Sequence, residues 1–118
     1  MSKILVVDDE LDVREFSRSF FTKRGIDVAV ASDGVEALLL IEKGVPDLVL
    51  LDVLMEGMNG VDVIRELRRR NVSVKVVMVS STEDGKIIKE AESLGIVGFI
   101  HKPFILDELK RVVLSHLS

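Results

Sequence analysis

Short apolar runs alternate along the chain with longer segments whose apolar residues recur at helical spacing. The short runs are rich in Val, Ile and Leu without that spacing, which is typical of strands buried on both faces of a parallel sheet. They are Ile4–Val7, Val28–Ala31, Leu48–Leu51, Val74–Val79 and Val97–Ile100. The longer segments, predicted as helices from the spacing of their apolar residues, are Leu11–Arg24, Gly34–Lys43, Val61–Arg70, Gly85–Leu94 and Leu106–Leu117.

Polar residues and glycines mark the ends of the predicted helices. Side chains that can accept a hydrogen bond from the first turn are predicted as N-caps at Asp33, Asn59 and Asp84. Glycines that follow a helical segment are predicted to close it in the left-handed conformation at Gly25, Gly44 and Gly95. These signals agree with the boundaries that the apolar pattern predicts.

Five strand–helix units in succession predict the fold class. The pattern favours an α/β fold, a doubly wound sheet of five parallel strands with five helices on its two faces. The 118 residues contain no repeat or linker-like tract, so they are predicted to form a single domain over residues 1–118. A hydrophobic share of 47% and a charged share of 31% fit such a fold and exclude disorder.

Composition and charge exclude several kinds of function. Without cysteine the chain has no disulfide, no zinc–thiolate site and no cysteine nucleophile. Twenty acidic against sixteen basic residues give a net charge of −4, which argues against direct binding to nucleic acid. No uncharged run approaches the roughly 20 residues of a membrane span, so we expect no membrane association and a cytoplasmic location.

Polar residues directly follow four of the predicted strands. In chain order these residues are Asp8-Asp9-Glu10, Asp52, Ser80-Ser81-Thr82 and His101-Lys102. Each alone is an ordinary helix cap, turn residue or solvated side chain. In open α/β sheets, however, ligands bind at the carboxyl ends of the strands, so the four groups are predicted to converge on one site.

Carboxylates at this edge would repel one another unless a cation lies among them. Mg²⁺, a hard cation with oxygen ligands, is the usual ion where phosphate chemistry follows, and Lys102 adds a fixed positive charge. Such a site is suited to holding a phosphoryl group. We therefore predict that Asp52 is a nucleophile that forms an aspartyl phosphate, and that Asp8 and Asp9 bind the metal.

Five fragments in order carry a resemblance to a known family. They are Ile4–Glu10, Pro46–Asp52, Met58–Gly60, Val79–Ser81 and Lys102–Phe104. Separations of 43, 28 and 22 residues lie between Asp9, Asp52, Ser80 and Lys102. The whole chain resembles the receiver domain of two-component response regulators, which implies a flavodoxin-like receiver fold with strand order 2-1-3-4-5.

The resemblance assigns roles at the predicted site. It implies that Asp52 is the phosphoacceptor and that Lys102 contacts the phosphoryl group. It implies Mg²⁺ as the cofactor, held by Asp8, Asp9, Asp52 and the backbone carbonyl of Leu54. A cis Lys102–Pro103 peptide bond is common in the family.

The resemblance also implies a switch and its partners. Ser80 matches the switch hydroxyl and Phe99 the switch aromatic, so phosphorylation is expected to change the surface of the fourth helix, fifth strand and fifth helix. The phosphodonor would be a sensor histidine kinase or a phosphorelay histidine protein. A downstream protein or fused output domain would recognise the changed surface, which is also a possible homodimer contact. The chain would catalyse only its own phosphorylation and slow dephosphorylation, and would not be an enzyme otherwise.

Glu56 departs from the family pattern, which has proline there, and adds a carboxylate near the predicted metal site. Three alternatives remain open at this point. A degenerate receiver would act as a protein-interaction module without phosphate. A flavodoxin would need a phosphate-binding loop where the acidic Asp8-Asp9-Glu10 stands. An aspartate-nucleophile phosphatase would need an acid in place of Leu54.

Overall fold

The computed structural model describes residues 2–117, so Met1 and Ser118 of the predicted domain lie outside the described residues. Strands and helices alternate along this part of the chain. The strands are β1 (Lys3–Val7), β2 (Asp27–Ala31), β3 (Leu48–Asp52), β4 (Lys75–Ser80) and β5 (Gly98–His101). The helices are α1 (Leu11–Thr22), α2 (Gly34–Lys43), α3 (Gly60–Arg69), α4 (Gly85–Ser93) and α5 (Leu106–Ser115).

The five strands form one parallel sheet in the order β2-β1-β3-β4-β5. This confirms the predicted fold class and strand order. The order reverses between β1 and β3, and the register pairs Val7 with Leu51. Asp8 and Asp52, the residues that follow this pair on each strand, therefore lie side by side at the reversal point, where such sheets bind ligands.

Two apolar layers cover the sheet, because side chains alternate between its faces. Leu5 and Val7 of β1 face the layer that α2, α3 and α4 complete. Ile4 and Val6 face the layer that α1 and α5 complete. The central strand β3 is buried over its whole length, as the apolar run predicts, whereas the edge strands β2 and β5 are partly exposed.

The helix ends confirm most of the sequence-based boundaries. The three predicted N-caps each accept a hydrogen bond from the first turn, at Asp33, Asn59 and Asp84. Gly25 and Gly95 adopt the predicted left-handed conformation, with φ of 79° and 82°. The prediction for Gly44 is wrong: its φ of −178° is extended, because the chain leaves α2 directly toward Pro46.

The guanidinium of Arg68 holds three segments together at the edge opposite the carboxyl strand ends. It donates to the carbonyl of Leu94 at 2.8 Å, where α4 ends, and to Gly95 at 3.4 Å. It also donates to Val72 at 2.8 Å and Val74 at 3.1 Å, between α3 and β4. One half-buried cation thus satisfies carbonyls of the loop between α3 and β4 and of the residues that directly follow α4.

Replacing Arg68 by Met should lower the free energy of unfolding by about 2 kcal/mol, because several carbonyls lose a charged donor. The neighbouring Arg69, whose side chain is 70% exposed and pairs only with Glu66 among the described residues, is the matched control. Arg69→Met should cost no more than about 0.5 kcal/mol. Urea unfolding measures both, and equal losses would show that the carbonyl contacts of Arg68 contribute nothing.

Candidate functional site

The carboxyl ends of β1 and β3 place two buried carboxylates next to each other. Asp8 directly follows β1 and is 2% exposed, and Asp52 is the last residue of β3 and is 4% exposed. Asp9 and Glu10, the next residues after Asp8, are exposed. The structure therefore brings together a solvent-facing pair of acids and a buried pair at one edge of the sheet.

Lys102, which directly follows β5, reaches across this edge. Its Nζ lies 2.8 Å from Asp8 Oδ2, 3.4 Å from Asp52 Oδ2 and 3.5 Å from Glu10 Oε1. The lysine side chain is only 14% exposed. Because β4 lies between β3 and β5, the side chain crosses the carboxyl end of β4 to reach the acids. The predicted convergence of Asp8, Asp52 and Lys102 is present.

The surroundings make Asp52 an unusually basic carboxylate. Burial, followed by the negative charge of Asp8, raises the pKa of Asp52 from 3.8 to about 6. The charge of Lys102 and a 3.1 Å hydrogen bond from the Leu54 N–H oppose this rise. Burial lowers the pKa of Lys102, but its hydrogen bond to Asp8 and the charges of Asp8, Asp52 and Glu10 leave the pKa above its ordinary value.

The acidic segment after β1 has the chemistry of a Mg²⁺ site. Asp8, Asp9 and Glu10 each offer a carboxylate oxygen, and these oxygens lie within 4.8 Å of one another. Hard oxygen donors at this density are what Mg²⁺ prefers, so the residues fit the ion that the sequence predicts. Within residues 2–117, Asp52 is not part of this close group. The Lys102 ammonium contacts both Asp52 and two members of the group, Asp8 and Glu10.

Three further residues that the sequence analysis singled out, Leu54, Glu56 and Ser80, lie at or directly after the ends of β3 and β4. Ser80 is fully buried, and its Oγ accepts a hydrogen bond from the Thr82 N–H at 3.2 Å. Leu54 directs its N–H to Asp52, and the residue is 48% exposed. Glu56 is exposed and does not belong to the close acidic group among the described residues.

Phe99 lies on β5, half-buried against the apolar layer of α2, α3 and α4. Its ring centroid is 4.8 Å from that of His101, a neighbour that the sequence interpretation left without a role. The Lys102–Pro103 peptide bond is cis, as expected. The predicted switch aromatic therefore lies on β5, the strand that Lys102 directly follows.

The sequence interpretation gave no role at the site to two residues beside the acids. Arg14 donates to the backbone carbonyl of Asp8 at 2.7 Å. Gly60, the first residue of α3, lies against the backbone of Asp52: a Cβ at this position would be 2.5 Å from the Asp52 carbonyl oxygen. Its N–H also donates to Val53 at 2.9 Å, so α3 begins directly on the end of β3. In the sequence, Gly60 was marked only as the last residue of the Met58–Gly60 fragment and by its place directly before a predicted helix.

Comparison with known proteins identifies the family. The family model described as the response regulator receiver domain matches residues 4–114. The chain is a response regulator receiver domain. This receiver is 32% identical to the sporulation initiation phosphotransferase F of Bacillus subtilis, over 98% of the receiver and 93% of that protein.

A second relative, the DNA-binding response regulator MtrA of Mycobacterium tuberculosis, is 38% identical over 98% of the receiver but only 50% of its own length. The receiver thus spans about half of this relative and nearly all of the first. Among solved structures, the response regulator protein TrrA from Thermotoga maritima, in complex with Mg(2+)-BeF, has a TM-score of 0.87. It is 32% identical, and the match covers 99% of the receiver and all of that chain.

Membership establishes the general function and confirms the family that the sequence predicts. Response regulator receivers take phosphate from histidine kinases, bind Mg²⁺ at an acidic pocket and link to output domains. Between residues 2 and 117 of this receiver, no helix has the length and apolar character that a membrane crossing requires.

Proposed function

We propose that Asp52 of this receiver accepts a phosphoryl group from a histidine kinase or a phosphorelay histidine protein. The observation that carries the proposal is the buried Asp52 carboxylate, 3.4 Å from the Lys102 ammonium and beside a three-carboxylate cluster. The nearly full-length similarity to a protein named a phosphotransferase supports the same function.

Asp52 has the properties of a nucleophile in this reaction. Its raised pKa makes the carboxylate more basic than an ordinary aspartate, yet the group remains largely ionised at neutral pH. One Asp52 oxygen forms the new bond to phosphorus while the bond from phosphorus to the donor's leaving atom breaks. Lys102 lies where its ammonium can hold an oxygen of the transferred group.

The acidic residues at the site would bind the Mg²⁺ ion that the family uses. Asp8, Asp9, Asp52 and the carbonyl of Leu54 would hold Mg²⁺, which supplies positive charge that neutralises the carboxylates and the phosphoryl oxygens. The chain's own residues set the rest of the site. Asp8 is fixed by a 2.9 Å hydrogen bond from the Glu10 N–H, so its carboxylate is oriented before any ligand arrives.

The same proposal includes a switch. Ser80 is buried next to the site, and its hydroxyl is the group available to turn toward a new phosphoryl oxygen. Ser80 lies two residues after Met78, whose side chain packs in the same apolar layer as Phe99, and an inward turn of Phe99 would repack the surface of α4, β5 and α5. A downstream protein or an output domain would recognise that surface, or a second copy of the receiver would pair with it.

Incubation with acetyl phosphate and Mg²⁺, followed by intact-mass measurement, tests the proposed function. We expect the mass of one phosphoryl group to be added to the wild-type protein, located on the peptide that contains Asp52 and lost on treatment with hydroxylamine. EDTA should prevent the addition. A wild-type protein that gains no mass would instead be a degenerate receiver, and an adduct on another residue would refute the assignment of Asp52.

The side chain of Leu54 leads to a prediction about the lifetime of the phosphorylated form. Its exposed side chain lies two residues from Asp52 and cannot hydrogen-bond a water molecule that attacks phosphorus. Leu54→Asn would supply such a group, so we expect the aspartyl phosphate to decay several-fold faster. Decay is followed by intact mass after the donor is removed. Leu114→Asn, at an exposed leucine of α5, is the control, and equal decay in the two variants would contradict the prediction.

A further inference from the structure

A cavity lies at the amino ends of β1 and β2, on the face of the sheet that α2 covers and at the edge opposite the acids. Its volume is about 250 Å³, and an apolar cavity of about 150 Å³ is enough to bind benzene. Leu5 of β1 and Ala29 of β2 line it from the sheet, and Leu40 of α2 and Pro46 complete its apolar lining. We call this cavity the amino-edge pocket. It contains none of the residues of the site described above.

The amino-edge pocket is open because the side chains around it are too small to fill it. Ala29 is the register partner of Leu5, so β2 contributes only a methyl group at this position. Gly44, directly after α2, lines the cavity without a side chain, and a Cβ there would meet nothing within 4 Å. Leu40 is half-buried and does not close the space. An apolar ligand would therefore gain dispersion contacts that the chain itself does not make here.

Two lysines give the amino-edge pocket a positive charge. Lys3, the first residue of β1, and Lys43, the last residue of α2, both line it. Neither lysine forms a salt bridge within residues 2–117. Asp47 accepts the backbone N–H of Lys3 at 2.8 Å, which leaves the ammonium of that lysine without this acid as a partner. Both cations can therefore pair with an anion that enters the pocket.

We propose that the amino-edge pocket binds a small organic acid made of one apolar ring and a carboxylate. The apolar lining would contact the ring, and the flexible side chains of Lys3 and Lys43 would bring their ammonium groups to the carboxylate. The volume favours a free small molecule, because a helix of a partner protein is about 10 Å across and does not fit. Such a ligand binds only the folded chain, so it would stabilise the domain from the edge that takes no part in phosphorylation.

Nitrogen–proton correlation NMR of the whole chain, titrated with phenylacetate as the probe, tests the proposal. We expect saturable shifts centred on the amides of Leu5, Ala29 and Gly44, with a dissociation constant on the order of 1 mM, as suits so small a ligand. Acetate carries the charge without the ring, and phenylacetamide carries the ring without the charge. Each should bind at least about threefold more weakly than phenylacetate.

Variants separate the apolar lining from the two cations. Ala29→Leu should fill the pocket and abolish the shifts. Lys3→Gln and Lys43→Gln, combined in one chain, should weaken phenylacetate binding about threefold or more and leave phenylacetamide binding unchanged. Lys23→Gln, at an exposed lysine directly after α1, is the matched control for charge and should leave the phenylacetate affinity within about 1.5-fold of wild type. The proposal is overturned by shifts that do not saturate, by shifts centred on other residues, or by unchanged phenylacetate binding in the double lysine variant, whether or not Ala29→Leu folds.

Discussion

Asp52→Asn is expected to raise the free energy of unfolding of the metal-free protein by about 1–3 kcal/mol at pH 7, although it removes the proposed phosphoacceptor. Burial and the charge of Asp8 raise the pKa of Asp52 from 3.8 to about 6, so the ionised carboxylate is destabilising in the folded state. Asparagine is close in shape and carries no charge. The same variant should gain no phosphoryl group from acetyl phosphate.

The effect has a defined pH dependence. Between about pH 4 and 6 the folded protein binds a proton on Asp52 that the unfolded chain releases, so wild-type stability falls as the pH rises through this range. The destabilisation is then complete above about pH 6. The advantage of Asp52→Asn should therefore be small at pH 4 and largest at pH 7 and above.

Urea unfolding in EDTA between pH 4 and 8 measures this difference. Asp27→Asn, at an exposed aspartate of the edge strand β2, is the control and should show no comparable gain. Added Mg²⁺ should reduce the difference in free energy of unfolding between Asp52→Asn and wild type, because an ion held by the folded site stabilises wild type more than the variant. A variant no more stable than wild type at pH 7, or a gain that persists at pH 4, would contradict the electrostatic account.

Gly60→Ala should lower the free energy of unfolding by about 3 kcal/mol or more. A Cβ at this position would lie 2.5 Å from the Asp52 carbonyl oxygen and 2.9 Å from Val53 Cα. Both are backbone atoms, at the last residue of β3 and the residue directly after it, so neither moves away as a flexible side chain would. Either α3 shifts or the end of β3 does, and in both cases Asp52 moves relative to Lys102. Phosphorylation should slow in the fraction that remains folded.

Gly85→Ala is the matched control, because Gly85 is likewise the first residue of a helix but a Cβ there would meet nothing within 4 Å. Alanine should be neutral or stabilising at that position by up to about 1 kcal/mol. Thermal and urea unfolding of the two variants provide the comparison. Similar losses in both would show that glycine is needed for helix initiation in general rather than for the approach of α3 to Asp52.

The elements were predictable because each apolar pattern is local. A buried run such as Leu48–Leu51 predicts a strand without knowledge of its neighbours, and the cap residue Asn59 predicts where α3 begins. The errors lie at the C-terminal ends of helices, where more than one backbone conformation can end the helix. The extended Gly44 ends α2. Asn71, with φ of 61°, takes a left-handed position after α3, where the sequence interpretation named no such residue.

The site was predictable to the level of which residues converge. Parallel strands bring their carboxyl ends to one edge, so Asp8, Asp52 and Lys102 could be grouped from their order alone. The order of these residues along the chain does not show whether Lys102 lies closer to Asp8 or to Asp52. Nor does it reveal that Gly60 is in close contact with the Asp52 backbone. Both depend on differences below 1 Å, which packing determines.

The contacts of Arg68 determine how α4 can respond to events at the acidic edge. The carbonyls of Leu94 and Gly95 are tied to α3, and Ala91 is the only buried residue of α4. The other end of the helix begins at Gly85, a few residues beyond Ser80. We therefore expect any displacement of α4 to be largest at the end that begins at Gly85 and smallest at the turn that Arg68 holds.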